Sequence, residues 1–166
     1  VLVAPPTLSN DVRIQIEDAA ANHGINLRIK IAFELERLYS GALIDDYWYM
    51  STSKLFLADL LPDLDDLLYI DVDTLIRAPL DELLDWKLRN PLGAVVELTR
   101  GGAFLFGTPR QPYFNAGVLR MSLDRMRRER VGERAREILS RHVLPLQDQD
   151  VFNLLFADRF DYLPFT

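Results

Sequence analysis

The sequence predicts a layered α/β domain, and three observations carry that expectation. Strand-like and helix-like patterns alternate from the first residues onward. A short apolar strand, Leu67-Leu68-Tyr69-Ile70, runs straight into the acidic string Asp71-Val72-Asp73. No repeat, low-complexity tract or interior linker divides the 166 residues, a length that one compact domain, 1–166, accommodates.

The elements follow in order. Val1 to Ala4 reads as a strand stopped by Pro5-Pro6. Leu8-Ser9-Asn10-Asp11 supplies capping residues for a helix with Val12, Ile16, Ala19 and Ala20 at helical spacing, closed by His23-Gly24. Ile25 to Phe33 alternates like a strand. Ser51 to Leu61 is expected to be helical up to Pro62, and Leu67 to Ile70 to be a buried strand. A short helix at Leu83-Leu84 and a strand at Ala94-Val95-Val96 come next. The glycines and prolines between Thr99 and Pro112 predict a loop, and Gly101 to Pro112 reads either as a flap or as an ordinary surface loop. Asn115 leads into a strand over Ala116 to Met121. Helices over Ser122 to His142 and Asp150 to Asp158 precede a last strand, Phe160 to Leu163.

Composition excludes several function classes. Without cysteine there is no disulfide, thiolate zinc site or cysteine nucleophile. A net charge of −6 argues against nucleic acid as a partner. The basic run Arg125 to Arg136 is interleaved with Glu129 and Glu133, and reads as a solvated helix face. No apolar stretch has the length of a membrane span, and no signal peptide is visible.

Three strings carry chemistry. Asp71 and Asp73, one residue apart just past a strand, suit a hard divalent cation with positions left open for phosphate oxygens. Solvated loop carboxylates or helix caps are the plainer alternative. In Gln147-Asp148-Gln149-Asp150-Val151-Phe152-Asn153 either aspartate could cap a helix, an account that leaves both glutamines unexplained. In Tyr113-Phe114-Asn115-Ala116-Gly117 an amide precedes small residues, which permits close approach to the backbone or simply makes a turn.

Taken in order, these strings resemble glycosyltransferase family 8. The matching segments are Lys54-Leu55-Phe56-Leu57 with Leu61-Pro62, then Leu68 through Leu75, Phe114 through Leu119, and Asp148 through Asn153 followed by Tyr162-Leu163-Pro164. The resemblance implies the Rossmann-like GT-A fold, a mixed central sheet flanked by helices. It also implies a retaining, metal-dependent transfer of a hexose or pentose from a UDP-sugar to a saccharide, glycoconjugate or other hydroxyl acceptor. On that basis Asp71 and Asp73 match the residues that hold Mn²⁺ (or Mg²⁺). Lys54, Asp71, Val72, Asp73, Asn115, Ala116, Gly117 and Asp148 match donor-binding positions, and Gln149, with Asp148, matches the catalytic position beneath the anomeric carbon. A glutamine is a poor nucleophile, so same-face departure and attack are expected rather than a covalent glycosyl intermediate. Lys54 stands where the family usually has a donor-contacting arginine; an exposed helix residue is the alternative. Some strings, Gln147-Asp148-Gln149-Asp150 among them, resemble the branch that adds xylose to glucosides.

Two family features are not found. Nothing before Val1 supplies the strand with uracil-binding residues, and the His-x-x-Gly-x-x-Lys segment that completes the metal and diphosphate site is missing. His23 and His142 read as ordinary helix-end residues. The chain therefore resembles a portion of a longer enzyme. Two rival readings remain open: a degenerate, non-catalytic nucleotide-sugar-binding module, and a haloacid-dehalogenase-like phosphatase using Asp71 as nucleophile.

Overall fold

A computed structural model of the chain describes residues 1–35, 50–97, 112–156 and 158–164. They belong to two compact units, Val1–Ser40 and Gly41–Thr166.

In the first unit, β1 (Leu2–Ala4) pairs in parallel with β2 (Ile29–Ile31), with α1 (Asn10–Asn22) between them in sequence. The Ser9 hydroxyl caps α1 by accepting from the Val12 N–H at 3.4 Å. Gly24 at φ 66° turns the chain away, in a left-handed conformation that favours glycine. The expected strand from Ile25 to Phe33 is shortened to three residues. Its partner stops at Pro5, which has no N–H to extend the ladder, and Ile25 and Phe33 are exposed.

The second unit begins, among its described residues, with a 3-10 helix (Ser51–Phe56) that continues into α2 (Leu57–Leu60). There follow β3 (Asp66–Ile70), α3 (Asp81–Leu84), β4 (Leu92–Val96), β5 (Phe114–Ser122), α4 (Leu123–Arg128), α5 (Val131–Arg141), α6 (Gln147–Phe156) and β6 (Phe160–Tyr162). The strands form one sheet in the order β3-β5-β4-β6. β5 runs antiparallel to both neighbours and β4 parallel to β6, so the sheet is mixed, as the GT-A expectation requires.

Four expectations are corrected. β3 is the terminal strand in the order of this sheet and is half-buried, not buried; among the described residues it pairs with β5 alone. The single helix expected over Ser122 to His142 breaks at Arg130, whose φ of 54° is left-handed. The break lets α5 start with Gly132 so close to α2 that a Cβ there would meet the Asp59 carboxylate. α6 begins at Gln147, ahead of the expected Asp150, and the Asp150 carboxylate accepts from the Leu146 N–H at 2.8 Å. The basic run is only partly a solvated face. Arg128 pairs with Asp124, but Arg125 donates to the carbonyls of Leu88, Arg89 and Asn90, and Arg127 to those of Ala58, Leu61 and Leu64.

Phe56, Phe114, Phe152, Phe156, Leu119 and Met126 are among the fully buried side chains of this unit. Each contributes roughly 1.5–3 kcal/mol through removal from water. Phe114 on β5 stacks against Phe160 on β6 at 4.6 Å between ring centroids. Of the Gly101 to Pro112 segment, residues 101–111 lie outside the described residues. No helix among the described residues is long and apolar enough to cross a membrane.

Candidate active site

The site is organised by an irregularity in β5. Leu92, Gly93 and Ala94 of β4 pair with Met121, Arg120 and Leu119 in regular register, but Val95 then pairs with Asn115. Ala116, Gly117 and Val118 therefore face no partner on β4, although β3 still pairs Ile70 with Val118. Backbone groups freed this way need other partners, and the strings singled out in the sequence supply them. The Ala116 N–H donates to Gln149 Oε1 at 3.0 Å, and the Ala116 carbonyl accepts from Lys54 Nζ at 3.2 Å. The Gly117 N–H donates to Asn115 Oδ1 at 2.7 Å, and its carbonyl accepts from the Asp71 N–H at 2.8 Å.

Lys54 is the point where these segments meet. It is 3% exposed, which removes the exposed-helix alternative. Its ammonium lies 2.9 Å from Asp71 Oδ1 and 3.0 Å from Asp148 Oδ2, and sits 4.8 Å from the centre of the Tyr69 ring. With the Ala116 carbonyl, three protein acceptors match its three donors. Burial raises the Asp148 carboxyl above the ordinary aspartate value; the Lys54 charge opposes that shift and Asp71 adds to it.

α6 is fastened to β5 by side chains that copy a strand's hydrogen bonds. Asn153 accepts from the Phe114 N–H at 2.9 Å and donates to the Phe114 carbonyl at 2.9 Å. Asp150 accepts from the Tyr113 hydroxyl at 2.5 Å. Because Gln149 spends its oxygen on a backbone N–H, its NH₂ is the end left to meet a ligand.

Not every candidate joins the cluster. Asp73 is exposed and lies in the turn after β3, and Val72 is 93% exposed. His23 and His142 cap the C-termini of α1 and α5, as expected of helix-end residues. Among the described residues no group of three or more His, Cys, Asp or Glu is arranged to hold a metal ion. Sequence reasoning missed Tyr69 and Tyr113. The Tyr69 hydroxyl donates to Asp71 Oδ1 at 2.6 Å, and burial, followed by that bond and the surrounding carboxylates, raises its pKa far above the phenol range. For Tyr69 a signal was present, since it stands two residues before Asp71; the partner of Tyr113, Asp150, is 37 residues away in sequence.

With this geometry in view, the comparisons with known proteins become specific. The family model described as glycosyl transferase family 8 matches residues 39–166. The chain belongs to glycosyltransferase family 8. This family 8 chain is 31% identical over 111 residues to the lipopolysaccharide 1,2-glucosyltransferase of Escherichia coli, covering 61% of this chain and 33% of that protein. It is similar to the crystal structure of the galactosyltransferase LgtC in complex with donor and acceptor sugar analogs, at TM-score 0.79 and 27% identity over 93% of this chain and 59% of that one. An active-site Gln-to-Glu variant of LgtC matches at the same TM-score and identity, over 93% of this chain and 58% of that one. The chain thus spans about a third of that curated relative and about three fifths of LgtC. The fold is that of GT-A glycosyltransferases, and family membership decides against the phosphatase reading.

Proposed function

We propose that this chain carries the donor-binding part of a retaining glycosyltransferase, which moves a hexose or pentose from a UDP-sugar to a saccharide or other hydroxyl acceptor. The observation that carries the reading is the convergence, in a family 8 chain, of Asp71, Asn115, the Ala116–Val118 bulge, Asp148 and Gln149 around the buried Lys54. LgtC, solved with donor and acceptor sugar analogs, supports a sugar-nucleotide role, and its active-site glutamine supports Gln149.

A divalent cation fits the residues present. Asp71 Oδ1 is engaged by Lys54 and Tyr69, while Oδ2 accepts no hydrogen bond among the described residues. It faces Gly117 so closely that a Cβ there would lie 3.1 Å away. Asp71 and the exposed Asp73 are hard oxygen donors of the kind Mn²⁺ or Mg²⁺ prefers, and these two residues would hold it. The bound ion would neutralise the charge that develops on a departing diphosphate.

The chain's own residues would do the rest. The Ala116–Val118 bulge, with Gly117 at the point of closest approach, would let a ligand come near the strand backbone. Asp148 would accept sugar hydroxyls, with Lys54 keeping it in position. Gln149 presents N–H donors, not an oxygen nucleophile, which favours departure and attack on one face of the sugar over a covalent glycosyl intermediate.

The test is a calorimetric titration of UDP with and without Mn²⁺, run beside an Asp71→Asn, Asp73→Asn double variant. Binding that requires the metal and vanishes in the variant is the expected result. In demonstrably folded protein, absence of any metal-dependent UDP binding would sink the proposal. Binding there without sugar transfer or donor hydrolysis would move it to the non-catalytic module.

A further inference from the structure

Lys54 and its partners occupy one end of the β3–β5 pair, and a cleft of about 220 Å³ opens at the other. Asp66 begins β3 and Asp71 directly follows it, so the two places are roughly 17 Å apart along the strand. The cleft is lined by Asp66, Trp86, Lys87, Arg120, Ser122 and Arg125, among others.

Its charge runs against that of the molecule, whose net charge is −6. Three cations converge from three places: Lys87 from the segment after α3, Arg120 from β5 and Arg125 from α4. The one lining carboxylate is Asp66. It is half-exposed and stands 3.8 Å from Arg120 Nη1, a loose pair that leaves a cationic surplus.

The donors are also incompletely used. Arg125 is fixed in place through Nη1 by the carbonyls of residues 88 to 90. Arg120 Nη1 donates to the Leu67 carbonyl at 3.1 Å, but its Nε is buried with no partner among the described residues. Lys87 is exposed and makes no ion pair among the described residues. A buried donor without an acceptor costs stability unless water or an anion reaches it. Fixed guanidinium groups suit phosphate oxygens, an ammonium adds a point charge, and Trp86 supplies a flat apolar wall.

We infer that this cleft is a second ligand site, which takes a phosphate monoester with its dianion among Lys87, Arg120 and Arg125 and its carbon skeleton against Trp86. The site stands independently of the UDP-sugar reading, because none of its residues belongs to the Lys54 cluster.

The chain contains two tryptophans, so a Trp48→Phe variant leaves Trp86 as the single indole reporter. Its fluorescence is followed at constant ionic strength while inorganic phosphate, glucose 6-phosphate or glucose is added. The expected result is saturation with both phosphates, glucose 6-phosphate binding at least as tightly as inorganic phosphate, and no response to glucose. Lys87→Ala and Arg120→Gln should each weaken binding by about tenfold. Lys87→Ala, at an exposed side chain, keeps the test decisive should Arg120→Gln fail to fold. The inference is overturned by a response that does not saturate by about 10 mM, by saturation indifferent to Lys87→Ala, or by inorganic phosphate binding without glucose 6-phosphate.

Discussion

Lys54 holds its charge where water barely reaches, and two carboxylates from different elements depend on it. Asp148 is 6% exposed, and burial raises its pKa, opposed chiefly by the Lys54 ammonium and then by a backbone hydrogen bond, so the ammonium does most to make a buried charge tolerable there. Removing one partner of such a pair strands the other, at a cost of about 3–5 kcal/mol. Lys54→Met, similar in length and neutral, is therefore expected to lower stability by about that amount in urea denaturation. Adding Asp148→Asn should recover part of it, with a coupling of about 1–3 kcal/mol between the two sites. Additive losses in the double variant would show that the pair is not coupled. From the sequence, Lys54 stands out through the family resemblance, because its position and charge match those of a donor-contacting arginine. That its three donors are all turned on the protein depends on where Asp148 and the Ala116 carbonyl sit in space, and a linear string does not carry that information.

At the scale of elements, the bulge in β5 explains why three separate strings occur together. Gln149, Asn153, Lys54 and Asp71 each satisfy a backbone group on β5 between Phe114 and Gly117, so the site is built by the same bonds that hold α6 and β3 to the strand. Gly117 is the tightest point. A Cβ there would lie 2.9 Å from Asn115 Oδ1 and 3.1 Å from Asp71 Oδ2. Both atoms end movable side chains, so Gly117→Ala is expected to cost only about 1 kcal/mol in stability. Displacing them should nevertheless reduce metal-dependent UDP affinity by at least about tenfold, equivalent to ~1.4 kcal/mol. Calorimetry that finds unchanged affinity in a folded Gly117→Ala protein would separate the bulge from ligand binding. The strands β3, β4 and β5 were legible because apolar runs and their flanking residues are local signals. The bulge was not, since register depends on which strand lies alongside. The helix break at Arg130 was hidden for a similar reason: the Arg and Glu spacing continues through it, and the close approach of Gly132 to Asp59 is a tertiary constraint.

Across the whole molecule, stability is unevenly distributed between the two units. β5 is paired on both sides and is further held by α6 through Asn153 and Gln149, so its amides open only when the second unit loses its sheet. The first unit contains a two-stranded sheet with three residues in each strand, a size that is marginal without further support. Its helix buries little: Ala20 is the one buried residue of α1, and Val12 and Ile14 are exposed. Native-state hydrogen exchange should resolve this difference. The amides of Leu119 and Met121, which lie between two strands, are expected to exchange at the free energy of unfolding of the second unit. Those of Leu2 and Ala32, which donate to Arg28 and Ala4 across the small sheet, should exchange through openings at least about 2 kcal/mol cheaper. Addition of UDP and Mn²⁺ supplies the decisive comparison, because a ligand held by Asp71 and the bulge stabilises the unit that contains them by mass action. Slower exchange at Leu119 and Met121 on adding both is the expected result. Unchanged exchange there, in protein that calorimetry shows to be saturated, would mean that the ligand is held elsewhere.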